Sequence, residues 1–147
     1  MSISFYGTKD QYGCFSNFSA HGITLEGKYW KTTEHYFQAK KFVGTKFEEE
    51  VRLLQSPRLA ADAGRDRKKP LRSDWEEVKD EVMRRAVLAK FTQHKDLREI
   101  LLSTGDEEII ENAPGDYYWG CGKTGTGQNK LGQILVEVRE QLKQNPK

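Results

Sequence analysis

Cysteine and histidine are scarce in this 147-residue sequence, which holds two of the first and three of the second. Cys14 and Cys121 have no C-x-x-C spacing and are too few for a disulfide framework, or for a zinc site without histidine. Reduced thiols are expected. His21, His35 and His94 fall in no H-E-x-x-H or other ligand spacing, and no G-x-S-x-G stretch or catalytic-cysteine context occurs, so neither a metal nor another cofactor is expected. Long apolar runs are missing as well. No stretch approaches membrane-spanning length, and Met1–Gly7 has neither the basic nor the apolar region of a secretory signal, so a soluble, cytoplasmic chain is expected. Nor does one charge dominate. Lys and Arg number 24 against 22 Asp and Glu, a net charge of +2, which excludes whole-surface attraction for nucleic acid and requires any anion site to be local. There is no internal repeat, long linker or low-complexity segment, and nothing marks an obligate protein partner.

What is present reads as one domain over 1–147, of the α+β class, mostly helical with a small β-sheet. Ile3-Ser4-Phe5-Tyr6 alternates like a short strand, and Ile23–Glu26, Gly27-Lys28 and Tyr29-Trp30 read as a hairpin. Thr33–Phe42 has no Gly or Pro and carries aromatics at helical spacing, which predicts a helix ended by Gly44. Thr45 with Glu48 forms a capping box for a second helix, and Ser56-Pro57 opens a third that ends at Gly64. Ser73 with Glu76 predicts the start of a long helix in which Trp75, Val78, Val82, Ala86 and Ala89 share a face. Asp96–Ser103 reads as a helix, Ile109-Ile110 as a strand, 115–127 as a glycine-rich loop, and Leu131–Leu142 as a closing helix.

Three places could carry chemistry. Glu34, Gln38 and Lys41 are spaced i, i+4, i+7 and form one polar stripe, flanked by Phe37 and Phe42. Two readings fit: a solvated face, or a carboxylate, an amide and an amine aimed into an aromatic-walled pocket where burial shifts both pKa values toward acid/base or imine chemistry. The run from Gly64 to Arg72 packs five cations and one acid into a loop. Arg65, just after a glycine at a helix end, is placed for bidentate phosphate contact, while its basic neighbours supply diffuse attraction. Finally, Gly120-Cys121-Gly122-Lys123-Thr124-Gly125 matches G-x-G-x-x-G formally, but no clear strand precedes it and too little chain follows for a dinucleotide fold. It is not a phosphate-binding P-loop either, since Tyr117 stands where that pattern needs glycine. The loop's glycines and Asn129, leading into a helix, could present backbone amides to an anion or form an ordinary loop. Just before it, Asp116 stands beside Tyr117, Tyr118 and Trp119, and Trp119 or Trp75 could stack on a base.

Taken together, Phe15-Ser16-Asn17-Phe18, then Thr33-Glu34-His35-Tyr36-Phe37-Gln38-Ala39-Lys40-Lys41-Phe42, then Gly64-Arg65, Trp75, Tyr118-Trp119-Gly120 and Asn129-Lys130-Leu131-Gly132 resemble the NADAR, or YbiA-like, family. The motifs occur in the family's order and span nearly the whole chain. The resemblance implies a YbiA-like α+β fold and N-glycosidase activity on phosphorylated ribosylaminopyrimidines, early riboflavin-pathway intermediates, with ribose 5-phosphate released. Relatives also remove ADP-ribose from guanine bases, so ADP-ribosylated nucleic acid is the alternative substrate. Carried over residue by residue, the resemblance makes Glu34 and Asp116 the carboxylates and Lys41 a candidate nucleophile. It makes Asn17, Gln38, Arg65, Trp75, Trp119, Gly120 and Asn129 the binding wall. A rival reading, a non-catalytic ADP-ribose or nucleotide sensor, would use Arg65, Trp119 and Asn129 but would not need Glu34 with Lys41.

Overall fold

A computed structural model describes residues 2–145, which form two compact units: the N-terminal residues to Ser19 together with Phe91 onward, and 20–90. The α+β class holds. The small sheet resolves into two two-stranded pairs, one in each unit.

In the 20–90 unit, β2 (Ile23–Leu25) and β3 (Lys28–Trp30) pair antiparallel, with Ile23 opposite Trp30. The turn between them places Glu26 and Gly27 at φ +57° and +77°, the left-handed pair that matches the twist of a two-residue hairpin. Trp30 is fully buried, donates from Nε1 to the Leu25 carbonyl at 3.1 Å and meets Tyr36 edge-on, with ring centroids 5.1 Å apart. Helix α1 (Thr33–Ala39) starts where the Thr32 hydroxyl accepts the His35 amide, and it tightens into a 3-10 turn over Lys40–Phe42 rather than running to Phe42 as one α-helix. All seven α1 residues are buried, polar ones included, so their polar groups look for partners inside the protein rather than in water. α2 (Lys46–Arg52) and α3 (Pro57–Gly64) pack against α1. Both caps fall where the sequence puts them: the Ser56 hydroxyl accepts from the Leu59 amide with Pro57 in the first turn, and the Thr45 hydroxyl accepts from the Phe47 amide, although the predicted box with Glu48 does not close, Glu48 Oε1 accepting the Gly44 amide instead. Helix α4 (Trp75–Gln93) contributes residues to both units. The predicted Ser73 cap is not used. The Asp74 carbonyl accepts from the Glu77 and Val78 amides, so the helix opens one residue later. The predicted apolar face is present, with Trp75, Val82, Ala86 and Ala89 buried and Val78 half-buried.

In the other unit, β1 (Ser2–Phe5) pairs parallel with β4 (Glu108–Glu111), Ile3 opposite Ile109. Ile3 and Phe5 are its buried side chains, and Phe5 meets Phe15 edge-on. α5 (Lys95–Ser103) ends before Gly105 at φ +65°. α6 (Lys130–Gln144) packs against β4 so closely that a Cβ on Gly132 would lie 2.0 Å from the Ile109 carbonyl oxygen. Arg139, 2% exposed, donates to the Thr104 hydroxyl at 2.9 Å and to the Glu107 carbonyl at 2.8 Å, fixing the connection from α5 to β4. Among the described residues, no helix is long and apolar enough to cross a membrane.

Candidate active site

The α1 stripe is not a solvated face. Glu34 is 8% and Gln38 6% exposed, and Gln38 Nε2 donates to Glu34 Oε2 at 2.7 Å. This i, i+4 contact fixes the carboxylate. Gln38 is itself fixed from the far side: a Cβ on Gly64 would sit 1.8 Å from Gln38 Oε1. Only glycine at the end of α3 leaves room for that amide. Gln38 Oε1 is buried without a hydrogen-bond partner.

Lys41, one turn further along, faces an open cavity of about 650 Å³ lined by Lys41, Gly64, Arg65, Arg67, Leu71 and Trp75 among others. Its Nζ donates to the Gly64 carbonyl at 3.2 Å and stands 5.8 Å from the ring centroids of both Phe37 and Trp75, which meet edge-on. Burial pushes the Lys41 ammonium below its usual range. Glu34 opposes the shift, and Arg65 and Lys79 add to it. The result is an amine held in an aromatic corner and more easily deprotonated than an ordinary lysine, as a nucleophilic amine requires. Trp75 is 6% exposed, so its ring is a wall of this corner and not a platform offered to solvent for stacking. Arg65 lines the cavity mouth and pairs with Asp62 at 2.8 Å.

The adjacent residue, Lys40, turns the opposite way. Its buried ammonium bonds Glu26, bonds Glu48 Oε2 at 2.6 Å, and stands 5.3 Å from the rings of both Trp30 and Tyr36. Tyr36 donates to the other Glu26 oxygen at 2.8 Å. This network anchors the 3-10 turn that carries Lys41 and was not read from sequence; the only hint was a second lysine in Lys40-Lys41. His35 is likewise structural. Its Nε2 lies 2.9 Å from the Leu54 carbonyl, which only accepts, so Nε2 carries the proton and Nδ1 accepts from the Thr32 hydroxyl at 2.8 Å. Burial lowers its pKa, in keeping with that neutral form.

Glu34, Gln38, Lys41, Arg65 and Trp75 are thus brought together within the 20–90 unit. Asn17, Asp116, Trp119, Gly120 and Asn129 belong to the other unit. Asn17 is buried there. Asp116 Oδ1 accepts from the Tyr118 and Trp119 amides at 3.0 and 2.8 Å, shaping the turn on which those rings meet edge-on. Gly120 is packed so tightly that a Cβ would approach Ala113 Cβ to 2.8 Å. The Asn129 side chain accepts from the Glu111 amide and donates to the Ile109 carbonyl, both at 2.9 Å, bonding the edge of β4 as a neighbouring strand would. Of the two readings left open for this loop, amides offered to an anion or an ordinary loop, the backbone bonding of 127–131 fits the second. The amides of Gly127, Gln128, Asn129, Lys130 and Leu131 donate to the carbonyls of Cys121, Tyr117, Gly120, Tyr118 and Trp119 in turn. They are engaged in tying the glycine-rich loop to itself.

The family model of the NADAR domain matches residues 4–143, and the chain belongs to that family. Among its relatives, N-glycosidase YbiA of Escherichia coli (strain K12) is 54% identical over 140 residues, covering 95% of this chain and 88% of that protein. The NMR structure of E. coli YbiA resembles this fold with a TM-score of 0.92 at 52% identity, over 99% of this chain and 89% of the other. Riboflavin biosynthesis protein PYRR, chloroplastic, of Zea mays is 43% identical over 155 residues, covering 95% of this chain and 25% of that longer protein.

Proposed function

We propose that this chain hydrolyses the C1–N bond of phosphorylated ribosylaminopyrimidine intermediates of riboflavin biosynthesis, releasing ribose 5-phosphate. The chain is an enzyme, a hydrolase acting on N-glycosyl bonds, as its relatives named N-glycosidase are. The choice of substrate is supported by the relatives named for riboflavin biosynthesis. The observation that carries the reading is Lys41: an amine facing the cavity, with its pKa lowered by burial and the Gln38-fixed carboxylate of Glu34 felt at its charge.

In the route this favours, the ribosylamine opens to the imine between C1 and the base nitrogen. The neutral Lys41 Nζ adds to C1, and the bond from C1 to the base nitrogen breaks as that nitrogen takes up a proton and departs as the amine. Glu34 supplies this proton and later removes one from water. Water adds to the remaining Lys41–C1 iminium, and collapse of the carbinolamine frees the sugar aldehyde and regenerates the lysine. Atoms and charge balance with water as the sole co-reactant. By the family resemblance alone, Asp116 is proposed as a second catalytic carboxylate and Asn17, Trp119, Gly120 and Asn129 as substrate-binding residues.

The test is to incubate the protein with the phosphorylated ribosylaminopyrimidines, chelator present, and to follow ribose 5-phosphate and free base by mass spectrometry. Equimolar appearance of both is expected. Their absence, with ADP-ribosylated guanine cleaved instead, would transfer the substrate to nucleic acid; failure on both would favour a sensing module.

A further inference from the structure

Resting on that reading, we propose that Arg67, rather than Arg65, is the seat of the substrate's phosphate and sets the preference for a phosphorylated over a dephosphorylated riboside. Three cations of the loop line the cavity: Arg65, Arg67 and Lys69. Arg65 is held by Asp62 at 2.8 Å and Lys69 by Asp66 at 2.8 Å. Glu76, the other acid of the lining, is bonded by Lys79 at 2.7 Å. Among the described residues, Arg67 is the loop cation of the cavity with no carboxylate in ion-pair range, so its guanidinium keeps every donor for a ligand.

The turn that presents Arg67 explains why its neighbour does not neutralise it. Asp66 accepts the Lys68 amide on Oδ1 at 2.9 Å and the Lys69 ammonium on Oδ2 at 2.8 Å, and its carbonyl accepts the Lys69 amide at 3.2 Å. Both carboxylate oxygens are engaged in closing a tight turn, and Arg67 occupies the turn's second position. The loop is also tied to the reactive amine. The Arg72 amide donates to the Lys41 carbonyl at 2.9 Å and the Arg72 guanidinium to the Lys40 carbonyl at 3.4 Å. One cavity is therefore lined by both an unpaired guanidinium and the half-buried Lys41 amine, which suits a ligand carrying a phosphomonoester at one end and an electrophilic C1 at the other. A guanidinium binds a phosphate bidentately, and Arg65 already shares its charge and one of its nitrogens with Asp62, whereas Arg67 shares neither.

The test is the ratio of kcat/KM for a phosphorylated ribosylaminopyrimidine to that for its dephosphorylated counterpart, in the wild type and in Arg67→Ala, Arg67→Lys and Arg65→Ala. Loss of a charge-assisted pair is expected to cut the ratio about ten- to a hundredfold in Arg67→Ala. Arg67→Lys should fall between, because a lysine keeps the charge without the fork. A ratio unchanged in Arg67→Ala, or cut at least as far by Arg65→Ala, overturns the proposal. If the wild type cleaves neither riboside, the proposed substrate fails, and calorimetry with ribose 5-phosphate decides the seat independently. Binding weakened tenfold or more by Arg67→Ala supports it; undetectable binding to the wild type, or binding that Arg67→Ala leaves unchanged, overturns it.

Discussion

Replacing Gly64 with alanine tests whether the Glu34 carboxylate, proposed as the catalytic acid/base, is held in place by the packing described. At a helix end without a left-handed backbone, the added methyl alone would leave stability level or raise it by up to about 1 kcal/mol. The structure reverses that sign. The new Cβ would lie 1.8 Å from Gln38 Oε1 and 2.5 Å from its Cδ, so the Gln38 amide must leave its position and with it the 2.7 Å hydrogen bond to Glu34. A hydrogen bond to a charged group is worth about 1.5–3 kcal/mol, which outweighs the helical gain and leaves a net loss of about 1–2 kcal/mol. For a chain of this size that lowers Tm by about 2–8 °C. Activity should fall further than stability, because Glu34 loses its anchor. The assay is a thermal melt with kcat/KM on the same preparations, extended to Gln38→Ala and the double variant. Since Gln38→Ala removes the obstacle, the double variant should be no less stable than Gln38→Ala alone, a coupling on the order of 1 kcal/mol. A Gly64→Ala protein as stable and as active as wild type would refute the reasoning.

Other perturbations separate roles that the geometry assigns. Lys41→Ala should abolish a borohydride-trapped sugar adduct that the wild type forms. Trapping in the wild type should increase as pH rises through a Lys41 pKa below the ordinary lysine range, because the neutral amine is the nucleophile; an adduct persisting in the variant would exclude Lys41. Lys40→Met removes the ammonium shared by Glu26, which keeps Tyr36 and Arg85, and by Glu48, which keeps the Gly44 amide, and should cost about 1–3 kcal/mol by urea denaturation. Burial pushes the Glu26 carboxyl up, but bonds from Lys40 and Tyr36 outweigh it and hold the folded pKa down. The stability this provides is present above the unfolded pKa and lost as pH falls through the folded one, so the acid-side decline should be shallower in Lys40→Met. Asn129→Ala leaves the Glu111 amide and Ile109 carbonyl without their side-chain partner and puts alanine at φ +54°, for an expected loss of about 2–4 kcal/mol. Asn129→Gly should recover about 1 kcal/mol of that in the same melt.

Much of this was legible in the sequence where the signal is local. Thr45, Ser56, Gly44 and Gly105 marked helix ends because capping and left-handed termination act within one turn. The hairpin was legible over Ile23–Trp30, although its turn falls at Glu26-Gly27, one residue before the Gly27-Lys28 expected, and the stripe on α1 followed from i, i+4, i+7 spacing. What stayed hidden depends on contacts between distant residues. The parallel pairing of Ile3 with Ile109 leaves no mark in either strand, and Gly64 read as a helix end although its deeper role is to admit Gln38. Arg65 drew attention over Arg67 because it follows a glycine; which arginine is neutralised depends on where Asp62 and Asp66 aim. The aromatic and glycine-rich loop left open amides offered to an anion or an ordinary loop, a choice that depends on the register across residues 117–131, which engages the amides of 127–131.

The central claim, that the Glu34, Gln38 and Lys41 cluster cleaves a ribosyl C1–N bond, is met most directly by comparing ribose 5-phosphate release by the wild type and by Glu34→Gln, chelator present, on the phosphorylated ribosylaminopyrimidines. The account predicts rapid release by the wild type and loss of at least a hundredfold in Glu34→Gln, on the order expected for removing an acid/base group, with the fold intact. Equal release by a folded Glu34→Gln protein would contradict it.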